Sequence, residues 1–383
     1  MERFVPGALV AAVCWLLYTE LRHLHVIELP SEESTIVHAR PSTSHWEQKC
    51  KPPYRKDTFP GSREFETVYG TIQIFEWGPE DGEKVLLIHG LGTPCIALGD
   101  MAREFVDKGC RVMLFDLFGR GYSDSPSDLN HDARLYTFQI LAVLSSSPLA
   151  WTGSSAFHLV GFSLGGSISV AFAAYHTSML RSMTLIAPGG LIRKSHISHR
   201  AHFIYSSYLL PDWLRLRLMR HSIEPSHGSL SAENPDEAAQ TGADFDEVPI
   251  AIDQPDVKIG DVVHWQLHNN PGFVRSYLST VRSALVYGRH HNMWRTLGGQ
   301  LARRRSRNAP PGLSGGQICL VLAEQDVVVV KDEFMEDIER FLSAEDMDTY
   351  VLRGGHEIAV SKGKEVASIA MQSWRRNVQN VEG

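Results

Sequence analysis

An α/β fold built on a mostly parallel sheet is predicted by three features of this 383-residue chain. Short apolar runs alternate with helix-periodic segments over residues 85–187 and again over 318–352. Strands that alternate with helices need right-handed crossovers, which lay the strands side by side and cover both faces with helices. A glycine-flanked serine, Gly161-Phe162-Ser163-Leu164-Gly165, sits where one apolar run meets a small-residue helix, and strand ends of this kind are where open α/β sheets build their sites. Composition agrees. Hydrophobic residues make up 43% and charged residues 21%, enough for a sizeable core and too apolar for broad disorder.

Residues 4–18, FVPGALVAAVCWLLY, carry no charge. As a helix they cover about 22 Å of a hydrocarbon layer about 30 Å thick. Three readings stand: an uncleaved N-terminal anchor, single-pass or monotopic, which we take first; a cleaved signal peptide on a secreted chain; and a helix docked on the folded domain. Arg3 and Arg22 flank the run almost evenly, so charge does not set an orientation. Residues 29–62 are rich in Pro, Ser and Thr and read as a linker.

Regular patterning then begins. Residues 65–77 alternate around Gly70, which predicts a β-hairpin. Strands are expected over 85–89, 111–116, 156–162 and 183–187, with helices over 96–108, 135–145 and 164–176 between them. Residues 318–323, 333–342 and 349–352 repeat the alternation. From Pro188 to about Gln317 it stops. Helical patterning returns at 199–220 and 262–286, separated by a polar stretch, 224–261, with ten acidic residues and Lys258 alone basic. That stretch reads as a flexible acidic loop. The organisation is therefore an apolar segment (1–28), a linker (29–62), a core in two pieces (63–190 and 312–383) and a helical insert (191–311).

The charge balance, 37 Lys and Arg against 44 Asp and Glu for a net −7, gives no reason for a nucleic-acid partner. Five scattered cysteines form neither a disulfide framework nor a C-x-x-C pair. Cys110 and Cys319 lie in apolar runs and read as buried, whereas Cys95 follows a glycine loop and reads as more exposed. Arg303, Arg304, Arg305 and Arg307 read as a solvated linker. So do the basic residues Arg193, Lys194, Arg200, Arg215, Arg217 and Arg220, as a solvated face of the insert. Trp213, Trp265, Phe273, Tyr277, Tyr287 and Trp294 read first as packing and second as a pocket lining.

The chemistry centres on Ser163. A strand–turn–helix with glycine on both sides pushes this hydroxyl out of the chain path, above a helix N-terminus. A serine needs a base, and the base needs an orienting acid. Asp326 follows the strand ICLVLA, and His356 follows the strand ending TYVL with Gly354 and Gly355 before it. Both are placed at carboxyl ends of strands, in the chain order Ser, Asp, His. Glu324 and Asp332 compete with Asp326 but read as solvated charges. Backbone N–H groups at Leu91 and Leu164 are the candidate oxyanion donors, with Gly90 or Gly92 as alternatives to Leu91. His89 reads as a structural residue that orients its loop.

Taken together, His89-Gly90-Leu91-Gly92, Asp116-Leu117-Phe118-Gly119-Arg120-Gly121-Tyr122-Ser123, Gly161-Phe162-Ser163-Leu164-Gly165-Gly166, Asp326 and His356 make the chain resemble the α/β-hydrolase superfamily, in its serine-nucleophile branch with a helical cap. The resemblance spans about residues 65–378. It implies an eight-stranded, mostly parallel sheet, no metal or organic cofactor, and a cap at the insert. Asp116 and Arg120 are expected to hold the turn they occupy. It also implies an enzyme that cleaves a small-molecule carboxylic ester, lactone or thioester, apolar or like a secondary metabolite, through an acyl-enzyme. Acyl transfer on the same triad and ligand reception without turnover are the alternatives. Membrane association is expected only through residues 4–18.

Overall fold

The computed structural model describes residue 15 and residues 35–39, 52–205, 210–225, 245–283, 285–288, 291–306 and 308–382. Polar–apolar alternation puts Ser62–Thr67 (β2) antiparallel to Gly70–Trp77 (β3), joined through Val68 and Tyr69 with Gly70 paired to Thr67. Branched apolar runs then form Lys84–Ile88 (β4), Arg111–Phe115 (β5), Phe157–Phe162 (β7), Leu180–Ile186 (β8), Ile318–Ala323 (β11) and Met347–Leu352 (β12). These make one eight-stranded sheet in the order β12-β11-β8-β7-β4-β5-β3-β2, parallel except around β3. β7 and β11 are buried at every residue, as strands covered on both faces must be. The short strands Ile36–Val37 (β1) and Ser125–Pro126 (β6) pair apart from the main sheet.

Helices Gly99–Asp107 (α1), Ala133–Ser145 (α2) and Leu164–His176 (α3) fill the first crossovers. Asp132 caps α2 by accepting from the N–H groups of Arg134 and Leu135, which satisfies two of the orphan donors at a helix start. The insert carries His199–Tyr205 (α4), Asp212–Ile223 (α5), Ile259–Asn269 (α6), Phe273–Arg282 (α7) and His291–Arg304 (α8). Lys331–Ile338 (α9), Ile358–Ser361 (α10) and Gly363–Glu382 (α11) follow in the second core piece. The excursion closes on itself at a neck. Gly190 N–H donates to Val286 O, Ile192 bridges Tyr287, and Gly288 N–H donates to Ile192 O. Beyond the neck, α8 packs on α3, and Trp294 meets Phe334 at 6.1 Å. That helix therefore packs against α3 and α9 of the core.

Several expectations need correction. The anchor expected at residues 4–18 is not supported: among the described residues no helix is long and apolar enough to cross a membrane. All of that run except Trp15 lies outside the described residues. Described parts of the 29–62 linker are docked: Ala39 N–H bonds Asp124 at 2.8 Å, and Tyr54 and Phe59 are buried. Of the acidic loop, 226–244 lies outside the described residues, while Pro249–Ala251 (β9) and Gln254–Lys258 (β10) pair as a hairpin. The helix expected over 262–286 is two helices, because Pro271 and Gly272 break it.

The arginine run is solvated only in part: Arg303 is exposed, and Arg307 lies outside the described residues. Arg304 is buried and donates to the carbonyls of Pro311 and Gly312, and Arg305 pairs with Asp346. Arg193 reaches Glu336 and Asp337, and Arg215 is buried against Asp212 and Leu210 O. Cys95 is 1% exposed, as buried as Cys110 and Cys319, because its N–H is drawn inward to Asp116.

Candidate active site

The elbow at Ser163 is built by its neighbours. Ser163 has φ 52° and ψ −117°, a conformation that side chains other than glycine rarely adopt. The turn is too tight for more bulk. A Cβ on Gly161 would lie 2.4 Å from Gly165 O, and one on Gly165 would lie 2.1 Å from Ile88 O. The strain is held by hydrogen bonds: Ser163 N–H donates to Ile186 O, and Ser163 O accepts from Gly166 and Gly189. Backbone strain of this size, of order 1–3 kcal/mol, persists only where the surroundings over-determine it.

Two further strand ends, those of β11 and β12, bring the other groups to this hydroxyl. Asp326 follows β11, and its Oδ1 accepts from Val328 and Val329 N–H, each at 2.8 Å. Its Oδ2 lies 2.8 Å from His356 Nδ1. A carboxylate only accepts, so Nδ1 carries the proton and Nε2 presents its lone pair. That Nε2 is 2.9 Å from Ser163 Oγ, which donates to it. All three side chains are buried. The His356 ring sits between Phe162 at 5.1 Å and Phe245 at 6.1 Å. Of the competitors, Glu324 and Asp332 are exposed.

The loop after β4 forms the opposite wall. His89 is 0% exposed. Its Nε2 accepts from Leu117 N–H, and its Nδ1 donates to Gly90 O, each at 2.9 Å. Burial pushes this imidazole down to about 3, so it is neutral, as both bonds require. His89 therefore fixes its loop, as expected from the sequence. Asp116 accepts from Cys95 N–H and Tyr122 N–H, each at 2.9 Å. Burial pushes its carboxyl up, opposed by those donors. Arg120 is fully buried and donates to Leu91 O at 2.8 Å, to Ser276 Oγ at 2.5 Å and to Thr280 Oγ1 at 3.4 Å. Asp116 and Arg120 thus hold the turn.

Sequence reasoning missed Gln266, Ser276 and Thr280. Gln266, on α6, donates to Gly92 O at 2.9 Å and accepts from Gly121 N–H at 2.8 Å. These residues tie the insert to the loop carrying Leu91. A polar residue on an otherwise buried face, in Trp265-Gln266-Leu267, was the one available signal. Phe245 was also missed, since it stands in a segment read as loop. Of the insert's aromatic residues, Trp213 is exposed, while Trp265, Phe273, Tyr277, Tyr287 and Trp294 are buried as packing.

Residues 83–233 match the family model for the alpha/beta hydrolase fold. Lipase 1 of Psychrobacter immobilis is 32% identical over 115 residues, 30% of this chain and 34% of that protein. The chain thus spans about a third of that curated relative. A carboxylesterase structure from the thaumarchaeon Nitrososphaera gargenis covers 83% of this chain and 100% of its own at TM-score 0.56 and 15% identity. The 2-hydroxy-6-oxo-6-phenylhexa-2,4-dienoate hydrolase of Rhodococcus sp. strain RHA1 covers 82% of this chain and 98% of its own at TM-score 0.53 and 15% identity. At such identity these structures speak for the fold. Sheet order, elbow and the match over residues 83–233 agree on the alpha/beta hydrolase fold.

Proposed function

We propose that this chain is a serine hydrolase that cleaves a carboxylic ester, lactone or thioester through an acyl-enzyme at Ser163. The observation that carries the reading is the unbroken hydrogen-bond relay from Asp326 through His356 to a strained, glycine-flanked Ser163. In this reading Ser163 Oγ attacks the carbonyl carbon as His356 Nε2 takes its proton. Asp326 stays ionised and stabilises the imidazolium. The N–H of Leu164 is the first of α3 and has no intrahelical acceptor. With the N–H of Leu91 it holds the developing oxyanion. The imidazolium protonates the leaving group, then Nε2 deprotonates the water that releases the acyl group. Phe162 and Phe245 beside His356 favour an apolar group next to the reacting carbonyl.

The test pairs a fluorophosphonate probe with a panel of esters, lactones and thioesters, on wild type and Ser163→Ala. Wild type should label and turn over at least one class. Ser163→Ala should lose labelling and fall in kcat by on the order of a million-fold, the scale for triad nucleophiles. A loss below tenfold would overturn the assignment. An unlabelled wild type would favour ligand reception, and product partitioning with added alcohols would reveal acyl transfer.

A further inference from the structure

We propose that Glu224, His264 and His268 form a binding site for a divalent transition metal of the zinc class on the outer surface of the insert. His264 and His268 stand four residues apart on α6 and so share one face. Their ring centroids are 4.2 Å apart. Glu224 follows the last residue of α5 and comes to the same face: its Oε1 is 2.5 Å from His264 Nδ1 and 4.0 Å from His268 Nδ1. One ring nitrogen from each histidine and one carboxylate oxygen lie within 4.8 Å of one another.

Two imidazoles and a carboxylate are a donor set suited to zinc. Zinc binds such atoms at about 2.0–2.2 Å, so tetrahedral ligands stand about 3.4 Å apart. The widest separation in the cluster must close by up to about 1.4 Å and the Glu224–His264 contact must open by about 0.9 Å, shifts that side chains at the surface make by rotamer adjustment. His268 is already steadied by a 2.9 Å bond from Nδ1 to the His264 main-chain carbonyl. Metal-ligating imidazoles usually carry such support on their second nitrogen. A solvated pair of His264 and Glu224 would account for two of the three groups. The third group is the His268 ring, which lies beside His264 with Nδ1 held by the His264 carbonyl, leaving its Nε2 as the nitrogen for a metal.

The spacing His264-Trp265-Gln266-Leu267-His268 matches that of helical zinc hydrolases, but Trp265 stands where those carry a glutamate base. Trp265 is buried against Tyr54 and Tyr122. The site is therefore structural rather than hydrolytic. It fastens the end of α5 to α6, the helix whose other face sends Gln266 to the loop carrying Leu91. The proposal does not depend on the hydrolase reading, because its readout is metal binding.

The experiment titrates the metal-stripped full chain with zinc chloride by calorimetry, beside His264→Ala/His268→Ala and Glu224→Gln. Cobalt substitution adds a second readout. Wild type should take one ion per chain and give visible cobalt absorption of a nitrogen–oxygen site. The double variant should bind at least about tenfold more weakly and lose that absorption. Circular dichroism and thermal unfolding of metal-free samples establish that the variants are folded. Equal titration of wild type and double variant, or no binding by wild type, overturns the proposal.

Discussion

Gln266→Leu removes two buried hydrogen bonds at once with little change of volume. Gly121 N–H at 2.8 Å and Gly92 O at 2.9 Å lose their partner, and Gln266 is 0% exposed, so water cannot replace it without a rearrangement. Each buried group left unsatisfied costs about 1–3 kcal/mol. The pair therefore costs about 2–6 kcal/mol, less whatever the leucine gains by apolar burial. Gly92 follows Leu91, so the same change frees the loop that carries the proposed oxyanion donor. A displacement of about 1 Å at reacting groups costs on the order of 100-fold. We expect kcat on the best ester of the panel to fall between about 10- and 100-fold, with KM little changed. Gln266→Glu keeps an acceptor for Gly121 but sets a carboxylate against Gly92 O, and should be at least as damaging. Equilibrium denaturation and steady-state kinetics on the same samples measure both effects. Stability within about 0.5 kcal/mol of wild type together with undiminished kcat would refute the coupling.

Further outcomes follow from other parts of the structure. Burial pushes His89 and His131 each down to about 3. The unfolded chain therefore takes up these protons first as pH falls below about 6.5, and stability drains from about pH 6.5 towards 3. Each imidazole should remove about 2 kcal/mol between pH 7 and 5, and a His131→Asn variant should show a shallower pH slope in urea midpoints; an unchanged slope would count against a neutral buried His131. Gly165→Ala should lose soluble yield and probe labelling, because its Cβ meets Ile88 O, whereas Gly299→Ala, with nothing within 4 Å, should be neutral or stabilise by up to about 1 kcal/mol. Burial pushes the Cys95 thiol well up, and raises Cys110 to about 11 and Cys319 to about 12. All three should resist alkylation in the native protein and react in denaturant, as read by peptide mass mapping; rapid native labelling of Cys95 would contradict its burial.

The elbow was legible because its signal is local: two glycines, a serine and a change of period from strand to helix all fall within a few residues. Asp326 and His356 were legible because each follows an apolar run, and strand ends converge on one edge of a parallel sheet. Contacts across the insert were not legible. Nothing around Arg120 says that its guanidinium reaches Ser276 and Thr280, more than 150 positions on. Composition also misled where charges are satisfied locally. Arg304 and Arg305 look like a solvated run, yet Arg304 finds the carbonyls of Pro311 and Gly312 and Arg305 finds Asp346, acceptors that folding brings to them. Cys95 looked exposed because glycines surround it, but Asp116 pulls that turn into the interior.

The double attachment of the insert bears on how a ligand reaches Ser163. One attachment is the neck, where Gly190 and Ile192 pair with the returning residues Val286, Tyr287 and Gly288. The other is a row of buried polar bonds: Arg120 to Ser276 and Thr280, Gln266 to Gly92 and Gly121, Asn270 to Gly121 O, Ser279 to His131 N–H. A door swinging whole about the neck would tear that row and release the loop that carries Leu91. The turn at Phe245 also leans on α6, through the Ile259 N–H bond to Val248 O, so the His356 side of the site shares that same fastening.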